Sequence, residues 1–426
     1  MTDREPAEPN PRGFLHRLWS SLGPGVITGA ADDDPSGIAT YSVAGAQLGT
    51  GLLWTSVITW PLMAAVQSMC ARIGMVTGQG LASTFRKKFP RSVITMIAAA
   101  LMLANSINIG ADLVGMGDAM QLLTQVNSRL WAIGFGLFIA WATIRLRYIT
   151  LVNALKWLTL VLFAYVLTAI RLHPDWDSVA QATLTPSLPR GRAAWATLVA
   201  ILGTTISPYL FFWQASQEVE EEKSMGRQSP AERQGATPTE ILTRKIDVGV
   251  GTFFSNLVMF FIMLTTALTL HVHGITAPAT SKDVALALRP LAGRFAALLY
   301  TIGLVGTGLL AIPTLAGSAA YALAETFHWR EGIDERFPRA RRFYVVLALS
   351  ILAGIGIDFA NVNAVKALYW SAVINGLLAP FLLLGILIVA SDQRIMRGQP
   401  SSRLGRVTVG LATAAMFFAA VAMFVV

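Results

Sequence analysis

Gly29-Ala30-Ala31-Asp32-Asp33-Asp34-Pro35-Ser36-Gly37 interrupts the first long apolar stretch of this chain. A second interruption, Gly203-Thr204-Thr205-Ile206-Ser207-Pro208-Tyr209, sits inside another. Both put a polar residue before a proline with apolar sequence on either side. Unpaired backbone at bilayer depth survives only where it is buried in protein or lines a watery cavity. Paired interrupted spans are the pattern of a solute site between two halves of a helical bundle. Three consecutive aspartates at one interruption imply a cation as the solute.

Composition agrees. The chain has 426 residues, 54% hydrophobic and 13% charged, against about 25% charged in soluble proteins. These values describe an all-α polytopic membrane protein whose solvent is a lipid bilayer. The length rule predicts about 11 spans, approximately Leu22–Leu48, Leu52–Met75, Ser92–Leu122, Leu130–Ile144, Ile149–Leu172, Ala193–Gln217, Ile246–Val272, Phe295–Thr326, Phe343–Phe359, Val362–Ser391 and Val407–Val426. A polar tail, residues 1–21, precedes them and carries no cleavable signal pattern. The single cysteine, Cys70, excludes a disulfide framework or a thiolate metal cluster.

The net charge of +9 does not imply a nucleic-acid partner, because Lys and Arg collect in loops of one parity. With the N-terminus inside, the inner segments hold about three times as many as the outer ones. The N-terminus is therefore expected in the cytoplasm, the C-terminus outside, and the chain in the inner (cell) membrane. The long inner segment 218–245 reads as a solvated linker with a short helix.

The breaks fall in spans one and six, so ten spans divide into two five-helix repeats, 22–172 and 193–391. An odd number per repeat inverts the second relative to the first. The helix at 407–426 is an addition.

Asp34-Pro35 and Ser207-Pro208 each read as an N-cap with proline at the first helical position. Capping does not explain a carboxylate at mid-membrane depth, where intramembrane acids are functional by default. Asp34 is therefore the leading metal ligand, and Asp32 and Asp33 read as lining a watery approach. The half-helices ending at the breaks offer carbonyls near Ala31 and Thr204, with the negative end of each dipole. Together these form a hard oxygen site, with no imidazole, thiolate or thioether. Asn105, Asn108 and Asp112 share one face of span three. Asp112 is the better functional candidate among them, while Asn375 and Gln214 read equally as interhelical glue. No nucleophile–base pair or phosphate loop suggests an enzyme, and no cofactor is implied.

Gly23-Pro24-Gly25, the Asp34-Pro35 break and the Pro208 break resemble the Nramp family of divalent-metal transporters (natural resistance-associated macrophage proteins). The resemblance implies the LeuT-type 5+5 inverted repeat with helices 1 and 6 broken. The family's Asp-Pro-Gly-Asn reads Asp34-Pro35-Ser36-Gly37 here, so its aspartate ligand carries over to Asp34 and its asparagine position is Gly37. The family's Met-Pro-His reads Ser207-Pro208-Tyr209, so the thioether becomes Ser207 and the proton-linked histidine Tyr209. The carbonyl ligands fall at Ala31 and Thr204. The family's Asp-x-x-Glu pair on span three has no clean counterpart around Asn108 and Asp112. These departures look like the Nramp-related magnesium transporters. They imply Mg²⁺, with Mn²⁺ as second substrate, moved without proton coupling, and a cavity widened by Gly37 and Ser207 to admit waters. The alternatives are a proton-coupled Mn²⁺/Fe²⁺ transporter, supported by Asp112, and an organic-solute carrier, such as one for amino acids, of the same fold.

Overall fold

The computed structural model describes residues 24–146, 158, 160–359 and 362–426. The tail 1–21, Gly23 and most of the first half of the fifth expected span lie outside the described residues. Among the described residues there is no β-strand. The principal helices are α1 (Pro24–Asp32), α2 (Pro35–Leu48), α3 (Trp54–Thr77), α4 (Arg91–Thr124), α5 (Ser128–Arg145), α6 (Phe163–Arg171), α7 (Arg192–Thr205), α8 (Pro208–Ser224), α9 (Pro238–Thr266), α10 (Ala296–Phe327), α11 (Arg341–Asp358), α12 (Ala364–Ser391) and α13 (Arg403–Val425).

Both expected interruptions are real. The first span is two helices, α1 and α2, and the sixth is α7 and α8. Among the described residues, six helical stretches are individually long and apolar enough to cross a bilayer, including Arg91–Thr124 and Arg192–Ser224. The first, second, fourth and ninth expected spans are helices that are shorter or less apolar, and the fifth is described mainly from Leu160 onward, so length and composition alone do not establish a count of eleven.

The broken helices sit at the centre of the packing. α1 lies on α9 and α8, and α7 lies on α12 and α13. α4 runs along α10, α11 and α12. Small residues allow this closeness. A Cβ on Gly203 would strike the backbone of α12 at Ala372 and Gly376, and one on Gly376 would strike Val199 of α7. The apolar part of Arg192–Ser224 is wholly buried inside the protein. A helix surrounded on every side needs no polar face and shows no amphipathic stripe.

The segment 218–245 is only in part the solvated linker expected from its charge: residues 225–237 lie between helices and are mostly exposed, but its ends are not. Its first residues complete α8, and its last are the opening turns of α9, capped by Thr237 and Glu240 in a reciprocal capping box. Glu218 and Arg244 are buried inside the protein. Arg244 contacts Glu218 at 2.8 Å and Asp247 at 2.6 Å, and also pairs with Glu221. Asp247 Oδ2 in turn accepts from the Gly25 amide at 2.8 Å. Gln214 donates to Glu218 and accepts from the Thr28 hydroxyl, both at 2.7 Å. One buried charge cluster thus binds α1, α8 and α9. Charges this close compensate one another's desolvation, which hydrophilicity along the chain cannot reveal.

Candidate metal site

The two breaks are built from one local recipe and finished differently. Asp34 takes an extended conformation, φ −69° and ψ 169°, and caps α2 with Pro35 in the first turn. Its Oδ1 accepts from the Gly37 amide at 2.7 Å and the Ser36 hydroxyl at 2.6 Å. Its Oδ2 accepts from Asn108 Nδ2, at 3.1 Å. One carboxylate oxygen is therefore spent on the helix start, and the other faces α4.

Ser207 is also extended, φ −77° and ψ 131°, before Pro208, but its side chain makes no forward cap. It does not repeat the Asp34 logic, contrary to expectation. Its hydroxyl donates backwards, to Gly203 O at 2.9 Å and Thr204 O at 2.7 Å. The physical reason is proton inventory. An ionised carboxylate can only accept, whereas a hydroxyl can donate to the free carbonyls that end a half-helix.

The carbonyls expected to be free are thus already engaged. Thr204 O accepts from Ser207, and Ala31 O accepts from the Tyr209 hydroxyl at 2.9 Å. Tyr209 ties the end of α1 to the start of α8. Each carbonyl keeps a second lone pair for a cation. Gly37 does not open a cavity in this conformation. A Cβ there would lie 3.1 Å from Thr204 Oγ1 and 3.4 Å from Asp32 O and the Tyr41 ring. The expected widening is therefore not seen: Tyr41 and Thr204 crowd the space that asparagine would take. Asp34 is buried at 2% exposure, so the site is closed to solvent.

Asp32 and Asp33 do not line open water either. Both are buried, and the Ser255 hydroxyl of α9 contacts Asp32 at 2.7 Å and Asp33 at 3.2 Å. Sequence reasoning does not single out Ser255. A lone serine in an apolar helix carries no signal until the fold sets it against acids.

The polar face of α4 divides by function. Asn105 donates to Leu315 O and Ser318 Oγ of α10, both at 2.9 Å, which is interhelical attachment. Asn108 instead donates to Asp34 and, at 3.2 Å, to Asp112 Oδ2. Asn375 of α12 donates to Asn108 Oδ1 at 3.0 Å. Asp34, Asn108, Asp112 and Asn375 therefore form one buried polar chain across three elements. Among the described residues no set of three His, Cys, Asp or Glu side chains is gathered for a metal. A cation here would be held by few carboxylates and by amide, hydroxyl and carbonyl oxygens.

These features define a polytopic membrane protein of the broken-helix, inverted-repeat transporter fold. The sequence profile described as "Natural resistance-associated macrophage protein-like" matches residues 25–426, and the chain belongs to that Nramp family. Among curated relatives, the "Divalent metal cation transporter MntH" of Yersinia pestis (strain Pestoides F) is 29% identical over 342 residues, covering 77% of this chain and 79% of the relative. That of Aeromonas hydrophila is 25% identical over 405 residues and covers 92% of each. In fold, the chain is similar to the Eremococcus coleocola manganese transporter, with TM-score 0.75 at 18% identity, covering 98% of this chain and 89% of that one. It is also similar to Mhp1, a nucleobase-cation-symport-1 family transporter, with TM-score 0.58 at 14% identity, covering 95% and 90%.

Proposed function

We propose that the chain imports divalent metal cations by alternating access around Asp34, with Mg²⁺ as main substrate and Mn²⁺ as second. The observation that carries this is the donor set at the breaks. Asp34 Oδ2 faces the Asn108 amide, which also contacts Asp112, and Ala31 O, Thr204 O and the Ser207 hydroxyl stand at the paired half-helix ends. All of the proposed donor atoms are oxygen. Mg²⁺ takes oxygen ligands, keeps several waters and needs only one or two carboxylates. Soft donors, which favour Mn²⁺, Fe²⁺ or Cd²⁺ over Mg²⁺, are missing from that set. The curated relatives are named divalent metal cation transporters, which supports the cation class.

The N-terminus is assigned to the cytoplasm and the C-terminus to the outside, from the distribution of Lys and Arg. A negative-inside potential then drives a dication inward at about 2.3 kcal/mol per charge per 100 mV, and no second ion is needed. Tyr209 in place of histidine supports uncoupled transport, since a phenol does not titrate near neutrality.

A second reading has its own support. Asp112 is a titratable carboxylate joined to Asp34 through Asn108, the kind of group that a proton-coupled Mn²⁺/Fe²⁺ transporter needs close to its metal. The test is metal-dependent uptake into proteoliposomes with Mg²⁺, Mn²⁺, Ca²⁺ and Zn²⁺, with and without a pH gradient. Uncoupled Mg²⁺ transport predicts Mg²⁺ entry under a negative-inside potential without internal acidification. Acidification that follows metal entry and disappears in Asp112→Asn establishes the proton-coupled reading instead.

A further inference from the structure

The Asn108 carboxamide holds an unusual position. Its one nitrogen donates to two carboxylates, Asp34 Oδ2 at 3.1 Å and Asp112 Oδ2 at 3.2 Å. All three residues are buried at 2% exposure or less. Among the described residues neither acid has a Lys, Arg or His within ion-pair distance. The partly positive NH₂ group therefore stands where a cation would stand. Among the described residues, two oxygens of this chain, Asp112 Oδ1 and Asn375 Oδ1, are buried without a side-chain hydrogen-bond partner. Buried acceptors left unsatisfied are costly and rare, so a cluster of them marks a place built for a visitor.

We propose that Asp112 is a second carboxylate for the cation held by Asp34, and that Asn108 and Asn375 form a carboxamide switch that the cation operates. This rests on the divalent-cation reading of the Asp34 site and adds ligands to it from α4 and α12. A dication entering between the acids repels the NH₂ group and attracts the amide oxygen. The terminal torsion of asparagine is broad and roughly two-fold, so Asn108 can turn over without moving its backbone. Its Oδ1 then faces the cation. Its Nδ2 then faces Asn375, which at present donates to Asn108 through its own NH₂ at 3.0 Å. Asn375 must turn as well, presenting the Oδ1 that now lacks a partner. The two amides thus move as a coupled pair, and cation binding gives partners to Asp112 Oδ1 and Asn375 Oδ1.

The spacing suits a partly hydrated ion. The nitrogen sits at hydrogen-bond distance from both acids, wider than two direct bonds of about 2.1 Å to Mg²⁺. A Mg²⁺ bound directly to Asp34 reaches Asp112 through one of its own waters. The retention of Asp112, otherwise the best support for proton coupling, is then explained by charge balance: two carboxylates for one dication.

The experiment is calorimetric titration of the purified full chain with MgCl₂ and MnCl₂, for wild type, Asp34→Asn, Asp112→Asn, Asn375→Leu, Asn108→Ala and the Asn108→Ala/Asn375→Leu pair. Thermal melts check folding. Asp112→Asn is expected to weaken both metals by about tenfold or more, which is about 1.4 kcal/mol. Asn375→Leu is expected to weaken them about threefold in the wild-type background and not at all once Asn108 is alanine, because coupled neighbours are not additive. Wild-type affinity in a folded Asp112→Asn, or the same Asn375→Leu loss with and without Asn108, overturns the proposal. Should Asp112→Asn not fold, the Asn108/Asn375 cycle decides alone, since it leaves both acids in place. Wild-type binding by Asp34→Asn, or no binding of either metal by wild type, overturns the underlying reading of the site instead.

Discussion

The break at Asp34-Pro35 and the break at Ser207-Pro208 start from the same grammar and end with opposite electrostatics. At the first, a carboxylate caps the next helix with one oxygen and leaves the other turned towards Asn108. At the second, a hydroxyl reaches back and closes the carbonyls of the helix just ended. The first break supplies charge; the second supplies a sealed, neutral wall. Tyr209 joins them by donating from the start of α8 to the end of α1. An inverted repeat therefore need not carry its chemistry symmetrically. The dipoles at the half-helix ends favour a cation at both breaks, and the three acids Asp32, Asp33 and Asp34 stand at only one of them.

The comparison breaks if Asp34 is dispensable. Asp34→Ala is expected to abolish metal uptake in proteoliposomes while the protein still folds. Loss of the cap costs about 1 kcal/mol, partly offset because a buried charge is removed. Uptake at the wild-type rate by a folded Asp34→Ala protein would end the assignment of Asp34 as ligand.

Restoring the family's residues at both breaks sharpens it. Ser207→Met with Gly37→Asn is expected to shift selectivity from Mg²⁺ towards Mn²⁺ and Cd²⁺ by about tenfold, as a thioether and an amide oxygen enter. A Cβ at Gly37 lies in tight contact with Thr204 Oγ1, so a lower melting temperature is expected alongside. Competition binding by calorimetry measures the shift. No gain for Cd²⁺ would show that selectivity is set elsewhere, with Asp112 the next candidate.

Smaller effects test the neutral wall. Ser207→Ala removes a hydroxyl that bonds two carbonyls and belongs to the proposed donor set, and is expected to cost about 1 kcal/mol of stability and to weaken transport without abolishing it. If transport is unchanged while stability falls, the Ser207 hydroxyl is a closure and not a ligand. Tyr209→Phe deletes only the bond to Ala31 O and is expected to cost no more than about 1 kcal/mol. Its informative readout is the pH profile of uptake, which should match wild type. A changed profile would return a proton role to this position.

Much of the architecture is legible in the chain alone. Long apolar runs, few charges and two Xaa-Pro interruptions carry a broken-helix membrane bundle, because the bilayer permits so few alternatives. The segment 218–245 misleads for the opposite reason. Its Glu and Arg residues look solvated when counted along the chain, but Arg244 meets Glu218, Glu221 and Asp247 only after α8 and α9 pack together. The same limit applies to α4. Sequence spacing sets Asn105, Asn108 and Asp112 on one face, yet only their neighbours separate attachment to α10 from contact with Asp34.

What the sequence determined by itself was the fold class, the position of both breaks, and an acid at one of them matched by a serine at the other. These are local or compositional properties, and a solvent without hydrogen bonds makes them decisive. Tertiary structure alone decided that Ser207 bonds backwards, that Tyr209 occupies Ala31 O, that the Gly37 position is crowded, and that Asn108 and Asn375 meet. Each of these depends on which hydrogen-bonding group lies within about 3 Å of another, and helix packing, not chain order, sets that distance.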